Sequence, residues 1–119
     1  MCIFCKIAAG EIPANKVLEN DEFLAFHDIN PKAPIHVLII PKKHIENFQS
    51  TPPEVMAKMT PFIQEVAKEL ALDKSGYRLI TNNGEDGGQE VMHLHFHLLG
   101  GAKLIWPHLA PNKEAKKYM

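Results

Sequence analysis

Residues 93–97 read His93-Leu94-His95-Phe96-His97 and run on into Leu98-Leu99-Gly100-Gly101. On a β-strand, side chains two apart share a face, so the three imidazoles form a row spaced about 7 Å apart while Leu94, Phe96 and Leu98 point the other way. A helix would split the row, with His95 roughly opposite its two neighbours. The alternation therefore predicts a strand with one apolar face and one face of proton-exchanging groups. Imidazole titrates near neutrality, so three of them can supply a nucleophile, a proton donor and a charge stabiliser, the roles that phosphoryl chemistry requires. His-x-His on a strand also offers two ligands to one zinc ion, and an exposed strand face could carry three histidines with no shared task.

Composition narrows the setting for that strand. With 119 residues, 45% of them hydrophobic, the chain fits one compact domain with a modest core, and a dimer would bury more. The expected limits are a single domain over 1–110 and a C-terminal tail over 111–119. A net charge of −1 gives no global basic field for a nucleic-acid backbone, so any bound phosphate must be held by local groups. No stretch approaches the roughly 20 apolar residues of a membrane span, and the N-terminus has no signal-peptide pattern. The expectation is a cytoplasmic protein with no membrane or nucleic-acid partner, whose Cys2 and Cys5 are reduced thiols or metal ligands.

Along the chain, Cys2 to Ala8 reads as one or two helical turns ended by Gly10 and Pro13. Lys16 to Glu19 and Phe23 to His27, separated by Asn20-Asp21, read as a hairpin. Asn30-Pro31-Lys32-Ala33-Pro34 is a rigid loop, and His36 to Ile40 is an apolar strand stopped by Pro41. Thr51-Pro52-Pro53-Glu54 predicts a helix capped by Thr51, with Val55, Met59, Phe62, Ile63, Val66 and Leu70 at helical spacing and a kink at Pro61. Asp73 to Gly76 ends it, Tyr77 to Thr81 is a strand, and the histidine strand runs from about Val91 to Leu99. This order predicts an antiparallel α+β domain rather than alternating βαβ units. The Lys-rich end, Lys113 to Lys117, reads as a solvated tail.

Before the histidine strand, residues 82–89 hold three glycines and two asparagines, a composition that permits positive φ and lets backbone N–H groups converge on an anion. Many such loops are only tight turns. Beside His95 and His97, the loop reads as a phosphate cradle.

His93 to Leu99 matches the His-φ-His-φ-His-φ-φ signature, φ being apolar, of the histidine-triad (HIT) superfamily of nucleotide hydrolases and transferases. Phe26-His27-Asp28-Ile29, Pro34-Ile35-His36, Ile40-Pro41-Lys42-Lys43-His44-Ile45, Gly87-Gly88-Gln89 and Trp106-Pro107 resemble its Hint branch of nucleotide-binding proteins, in the bacterial form. The resemblance implies a five-stranded antiparallel sheet with one long and one short helix, dimerising into a continuous sheet. It also implies hydrolysis of purine nucleoside 5′-phosphoramidates, adenylylated lysine included, to a nucleoside monophosphate and an amine.

In that scheme His95 attacks the α-phosphorus, His97 donates to the phosphoryl oxygens or the departing amine, and His36 supports the proton network. Asp28 would accept the ribose hydroxyls. Phe4, Phe26, Ile29 and Leu38 would line the base pocket, with Asn82, Gly88 and Gln89 near the phosphate. Protonating the nitrogen of a P–N bond turns a poor leaving group into a neutral amine, so the step requires no metal cofactor. Phe4, Phe26, Ile29 and Leu38 would equally serve as plain core, and Asp28 as a loop cap before Asn30-Pro31. Glu90 stands where eukaryotic Hint proteins have serine, and a carboxylate there would repel a phosphate unless it points away.

Resemblance to zinc-containing members also implies a structural zinc on Cys2, Cys5, His44 and His93, two thiolates and two imidazoles, which would make His93 an anchor rather than a reactant. Free structural thiols are the alternative. Three functional rivals accompany the phosphoramidase reading. They are a dinucleoside polyphosphate hydrolase, disfavoured by Gly100-Gly101 and Trp106-Pro107; a purine-nucleotide-binding scaffold with incidental hydrolysis; and a hydrolase using the histidine row directly on zinc. His27 and His108 receive no role.

Overall fold

The computed structural model describes residues 2–111, so the predicted tail lies almost wholly outside the described residues. The elements are α1 (Ile3–Ala8), β1 (Lys16–Glu19), β2 (Phe23–His27), β3 (Ile35–Pro41), α2 (Pro53–Glu69), β4 (Arg78–Ile80) and β5 (Phe96–Gly100). The strands form one sheet in the order β1-β2-β3-β5-β4, every pair antiparallel. The predicted α+β class, with five strands, one long helix and one short one, is the observed architecture.

Local chemistry explains the hairpin. Asn20 Oδ1 accepts from the N–H groups of Glu22 (2.9 Å) and Phe23 (2.8 Å), closing the turn between β1 and β2. β3 begins one residue earlier than predicted and includes Pro41, which pairs opposite Phe23.

The start of α2 differs from the sequence reading. Pro52 is the N-cap and makes no side-chain capping bond, while the Thr51 hydroxyl donates instead to the carbonyl of Asn47 at 2.7 Å. The two prolines pre-set the backbone, and the preceding turn takes the hydroxyl. The helix runs unbroken through Pro61, whose side chain is exposed. Its missing N–H therefore falls on the solvent side.

Alternation along the strands divides the core in two. Phe23, Ala25, Val37, Ile39, Leu94, Phe96 and Leu98 face Met59, Phe62, Ile63 and Val66 of α2. On the opposite face Leu24, Phe26, Leu38 and Ile40 meet Phe4 and Ile7 of α1. The histidine segment enters a ladder only at Phe96; residues 91–95 lie outside regular strand, yet Leu94 still reaches the α2 side and the inside/outside alternation persists. Leu94 N–H donates to the Ile45 carbonyl at 2.6 Å, so this segment is held by a neighbouring loop instead of a strand. No helix among the described residues is long and apolar enough to cross a membrane.

Leu98 is completely buried between the sheet and α2. Leu98→Ala should lower the free energy of unfolding by about 2–5 kcal/mol, read from urea denaturation, because the cavity it leaves is walled by packed neighbours.

Candidate active site

The α1 face of the sheet carries a cavity of about 1010 Å³ whose walls include His36, His95 and His97. β3 and β5 place two of these. Leu38 pairs opposite His97 and His36 opposite Leu99, so His36 and His97 are diagonal neighbours on one face. His36 Nε2 lies 2.9 Å from His97 Nδ1.

Hydrogen bonds assign the protons. The Lys32 backbone N–H donates to His36 Nδ1 at 3.1 Å, so in the neutral ring the proton sits on Nε2 and is given to His97 Nδ1. His97 must then carry its own proton on Nε2. Burial, and after it the neighbouring His95 and His36, push the His97 pKa down from 6.5 to about 4. Burial lowers His36 as well, against the opposing pull of Asp28. The 3.4 Å approach of Asp28 Oδ2 to His36 Nε2 is therefore a polar contact to a neutral ring rather than an ion pair at neutral pH.

His95 has the complementary tautomer. Its Nδ1 lies 2.7 Å from the carbonyl oxygen of His93, an acceptor, so the proton is on Nδ1 and Nε2 keeps its lone pair. The His95 and His97 rings are 5.1 Å apart between centroids. The Thr81 hydroxyl donates to the His95 carbonyl at 2.8 Å and fixes the backbone there. One cavity thus contains an imidazole lone pair and an imidazole N–H donor side by side, the pairing that nucleophilic attack with acid assistance needs.

Most of the predicted binding residues share this cavity. Phe4, Phe26, Asp28, Ile29, Leu38, Asn82 and Gly88 all line it. Asp28 also performs the loop-capping role, since Oδ1 accepts from Asn30 N–H at 2.8 Å. Ile29 is 92% exposed and stands at the mouth rather than within a closed pocket.

Gln89 is the exception. Its buried side chain donates to the carbonyls of Glu46 (2.7 Å) and Val91 (3.0 Å) and accepts from Gly84 N–H (2.9 Å), so it staples the loop and does not face the cavity. Two of the loop's own N–H groups are similarly occupied: Gly88 donates to Glu85 and Gln89 to Gly84, which folds residues 84–89 into a turn closed on itself. Gly84 and Gly88, at φ +77° and +81°, supply the left-handed backbone that this turn requires.

Several wall residues carried no sequence signal as site residues. Lys32 acts through its backbone N–H, which any residue would provide at that position. Arg78, on β4, donates to the Ile105 carbonyl at 2.9 Å and lies 4.9 Å over the Trp106 ring, pinning a C-terminal segment that forms part of the wall. His27 and the exposed Glu90 also line the cavity, whereas His108 does not.

His93 belongs to a second cluster. With Cys2, Cys5 and His44 it brings four potential donor atoms within 4.8 Å of one another. Cys2 Sγ lies 3.3 Å from His93 Nδ1 and 3.6 Å from His44 Nδ1; for Cys5 Sγ the distances are 3.5 and 3.3 Å. A tetrahedral zinc bound at about 2.3 Å to sulfur and about 2.0–2.1 Å to nitrogen would separate such donors by about 3.5 Å. His93 Nε2 lies 2.8 Å from the Pro41 carbonyl, which accepts its proton and leaves the Nδ1 lone pair directed at the sulfurs. The residues fit a metal ion.

Residues 9–104 match the HIT domain family. The chain belongs to that family. A HIT-like protein of Helicobacter pylori is 56% identical over 103 residues, covering 87% of this HIT-domain chain and 99% of its own. Among solved structures, a HIT family hydrolase from Legionella pneumophila is 48% identical, with a TM-score of 0.85 over 90% of this chain and 98% of its own. A histidine triad nucleotide-binding protein from Candida albicans is 36% identical, with a TM-score of 0.78 over 98% of this chain and 90% of its own.

The lowered pKa values of His36 and His97 set a stability profile for this HIT-domain protein. Below 6.5 the unfolded chain takes up protons on these rings that the folded chain resists, His97 until about pH 4, so the melting temperature should hold steady above pH 6.5 and fall between 6.5 and about 4. His97→Gln should flatten that slope in thermal scans taken across the same pH series.

Proposed function

We propose that this HIT-domain protein is a nucleotidyl hydrolase that cleaves purine nucleoside 5′-phosphoramidates through a covalent nucleotidyl-His95 intermediate. The observation that carries the reading is the opposed tautomers of His95 and His97 on one cavity wall. The relatives named as a hydrolase and as a nucleotide-binding protein support the same class.

Phe4, Phe26 and Leu38 offer apolar and aromatic surface to the base, and Asp28 offers a carboxylate to the ribose hydroxyls. That leaves the α-phosphorus at the histidines. His95 Nε2 attacks phosphorus while the P–N bond to the amine breaks; the His97 Nε2 proton stays on its ring and donates a hydrogen bond to a phosphoryl oxygen, and the departing nitrogen takes its proton from solvent. Water then attacks the phosphorus of nucleotidyl-His95, its proton returns to solvent, and the nucleoside monophosphate departs as the P–N bond to His95 breaks.

A neutral His97 is suited to this task because it keeps its Nε2 proton as a hydrogen-bond donor at neutral pH, and burial strengthens the hydrogen bond it makes to a phosphoryl oxygen. Glu90 faces the same cavity with its carboxylate exposed, so it would turn from the phosphate and sense the leaving group instead.

Two assembly features accompany the proposal. Cys2, Cys5, His44 and His93 would hold a structural zinc, which supplies a cross-link between the N-terminus and the histidine segment. β4 is an edge of the sheet with Tyr77 and Leu79 exposed beside and on it, which supports a homodimer formed by edge pairing. The physiological compartment consistent with reduced thiols is the cytoplasm.

Rapid-quench mass spectrometry with an adenosine 5′-phosphoramidate tests the mechanism. Wild type should show an AMP-sized adduct that turns over, and His95→Ala should lose adduct and AMP release together. Hydrolysis surviving in His95→Ala would overturn the covalent route. A separate measurement addresses the metal: after equilibration with zinc and removal of excess, elemental analysis should find one zinc per chain in wild type and much less in Cys2→Ser.

A further inference from the structure

Both ring nitrogens and the main-chain carbonyl of His93 are committed. Nε2 donates to Pro41, Nδ1 faces the two sulfurs, and the main-chain carbonyl accepts from His95 Nδ1. The group that fixes the tautomer of His95 is thus the backbone of a residue held by the cysteine–histidine cluster. A second connection runs through the side chains. Phe4 lies between Cys2 and Cys5 on α1, only 6% exposed, and sets its ring edge-on to both His93 (5.9 Å) and His95 (5.1 Å).

Cys2 also builds the short helix that presents Phe4. Its Sγ accepts from Cys5 N–H at 3.2 Å and its carbonyl accepts from Lys6 N–H at 3.1 Å, so the positions of Phe4 and the two sulfurs are set together. The segment 91–95 has no strand ladder of its own to hold it. Its restraints are the Leu94–Ile45 bond, the Thr81 hydroxyl, the bonds from Gln89 to Val91 and from His93 to Pro41, and this cluster.

We propose that the Cys2–Cys5–His44–His93 cluster and Phe4 are positioning residues for the nucleophile: with metal bound, they fix the ring plane and tautomer of His95, and without it His95 is misaligned although the cavity remains. The chemical part rests on the phosphoramidase reading; the orientation of His95 does not. A metal held by these four residues would close the frame around His93, and the His93 carbonyl holds the proton of His95 away from the attacking nitrogen.

The test combines two readouts on the full-length chain. Histidine-labelled ¹⁵N NMR without substrate reports the His95 Nδ1 proton and its exchange with water. Rapid-quench kinetics with an adenosine 5′-phosphoramidate reports formation of the adduct, and titration with AMP reports affinity. Zinc-loaded wild type is compared with chelated wild type, Cys5→Ser and Phe4→Leu.

The expected result is a protected Nδ1 proton in the zinc-loaded protein that exchanges faster in the other three. Adduct formation should slow roughly tenfold or more in each, since small misplacements of a nucleophile are costly, while AMP affinity of Cys5→Ser shifts no more than about threefold because Cys5 is not on the cavity wall. An unchanged Nδ1 proton together with adduct rates within about twofold of wild type in the chelated protein and Phe4→Leu would overturn the proposal. If Cys5→Ser does not fold, those two samples still decide. If no sample forms an adduct, the phosphoramidase reading fails, and the NMR comparison alone decides whether the cluster orients His95.

Discussion

The antiparallel register between β3 and β5 is the constraint on which the site depends. Leu38 opposite His97 and His36 opposite Leu99 put both imidazoles on the α1 face and leave Val37, Ile39, Phe96 and Leu98 for the α2 face. Because side chains alternate with a period of two, a slip of one residue would drive His97 into the apolar core and bring Leu98 or Phe96 out in its place. The apolar alternation that buries one side of the sheet therefore also selects the register that joins His36 to His97. Stability and the proton chain share one cause.

Legibility in the sequence followed the strength of local signals. The period-two pattern of 93–99, the Asn20-Asp21 turn and the helical spacing of Met59, Phe62, Ile63 and Val66 each correspond to an observed element, because each is a short-range pattern read by one packed face. The Thr51 cap failed because a nearby carbonyl, that of Asn47, competed for the hydroxyl, a choice made by loop geometry. The histidine strand began five residues late, at Phe96, although β3 runs two residues beyond Ile39, its partner there: the Leu94 N–H goes to the Ile45 carbonyl and the Pro41 carbonyl to the His93 ring instead of to a ladder.

The site was legible in its residue types and less so in their duties. His36, His95, His97, Asp28 and the apolar wall residues do converge on one cavity. Gln89 was read as a phosphate contact, but a primary amide with two donors and an acceptor can satisfy itself against nearby backbone, and here its side chain does. The Lys32 N–H was invisible because backbone donors have no sequence signature; only the fold brings it within reach of an imidazole 61 residues away in the chain from its own hydrogen-bonded partner.

That backbone donor has a further consequence. A hydroxyl or carboxyl at the same place could rotate or ionise and so reverse the direction of the protons beyond it, whereas an amide N–H in a loop flanked by Pro31 and Pro34 can only donate. The sequence Lys32 N–H to His36 to His97 is therefore polarised like a diode, with its hydrogen at the cavity end in the resting state. Such a chain always turns an N–H donor to the cavity and never a lone pair, so which of the two imidazoles can act as nucleophile is written into the orientation of a single peptide group.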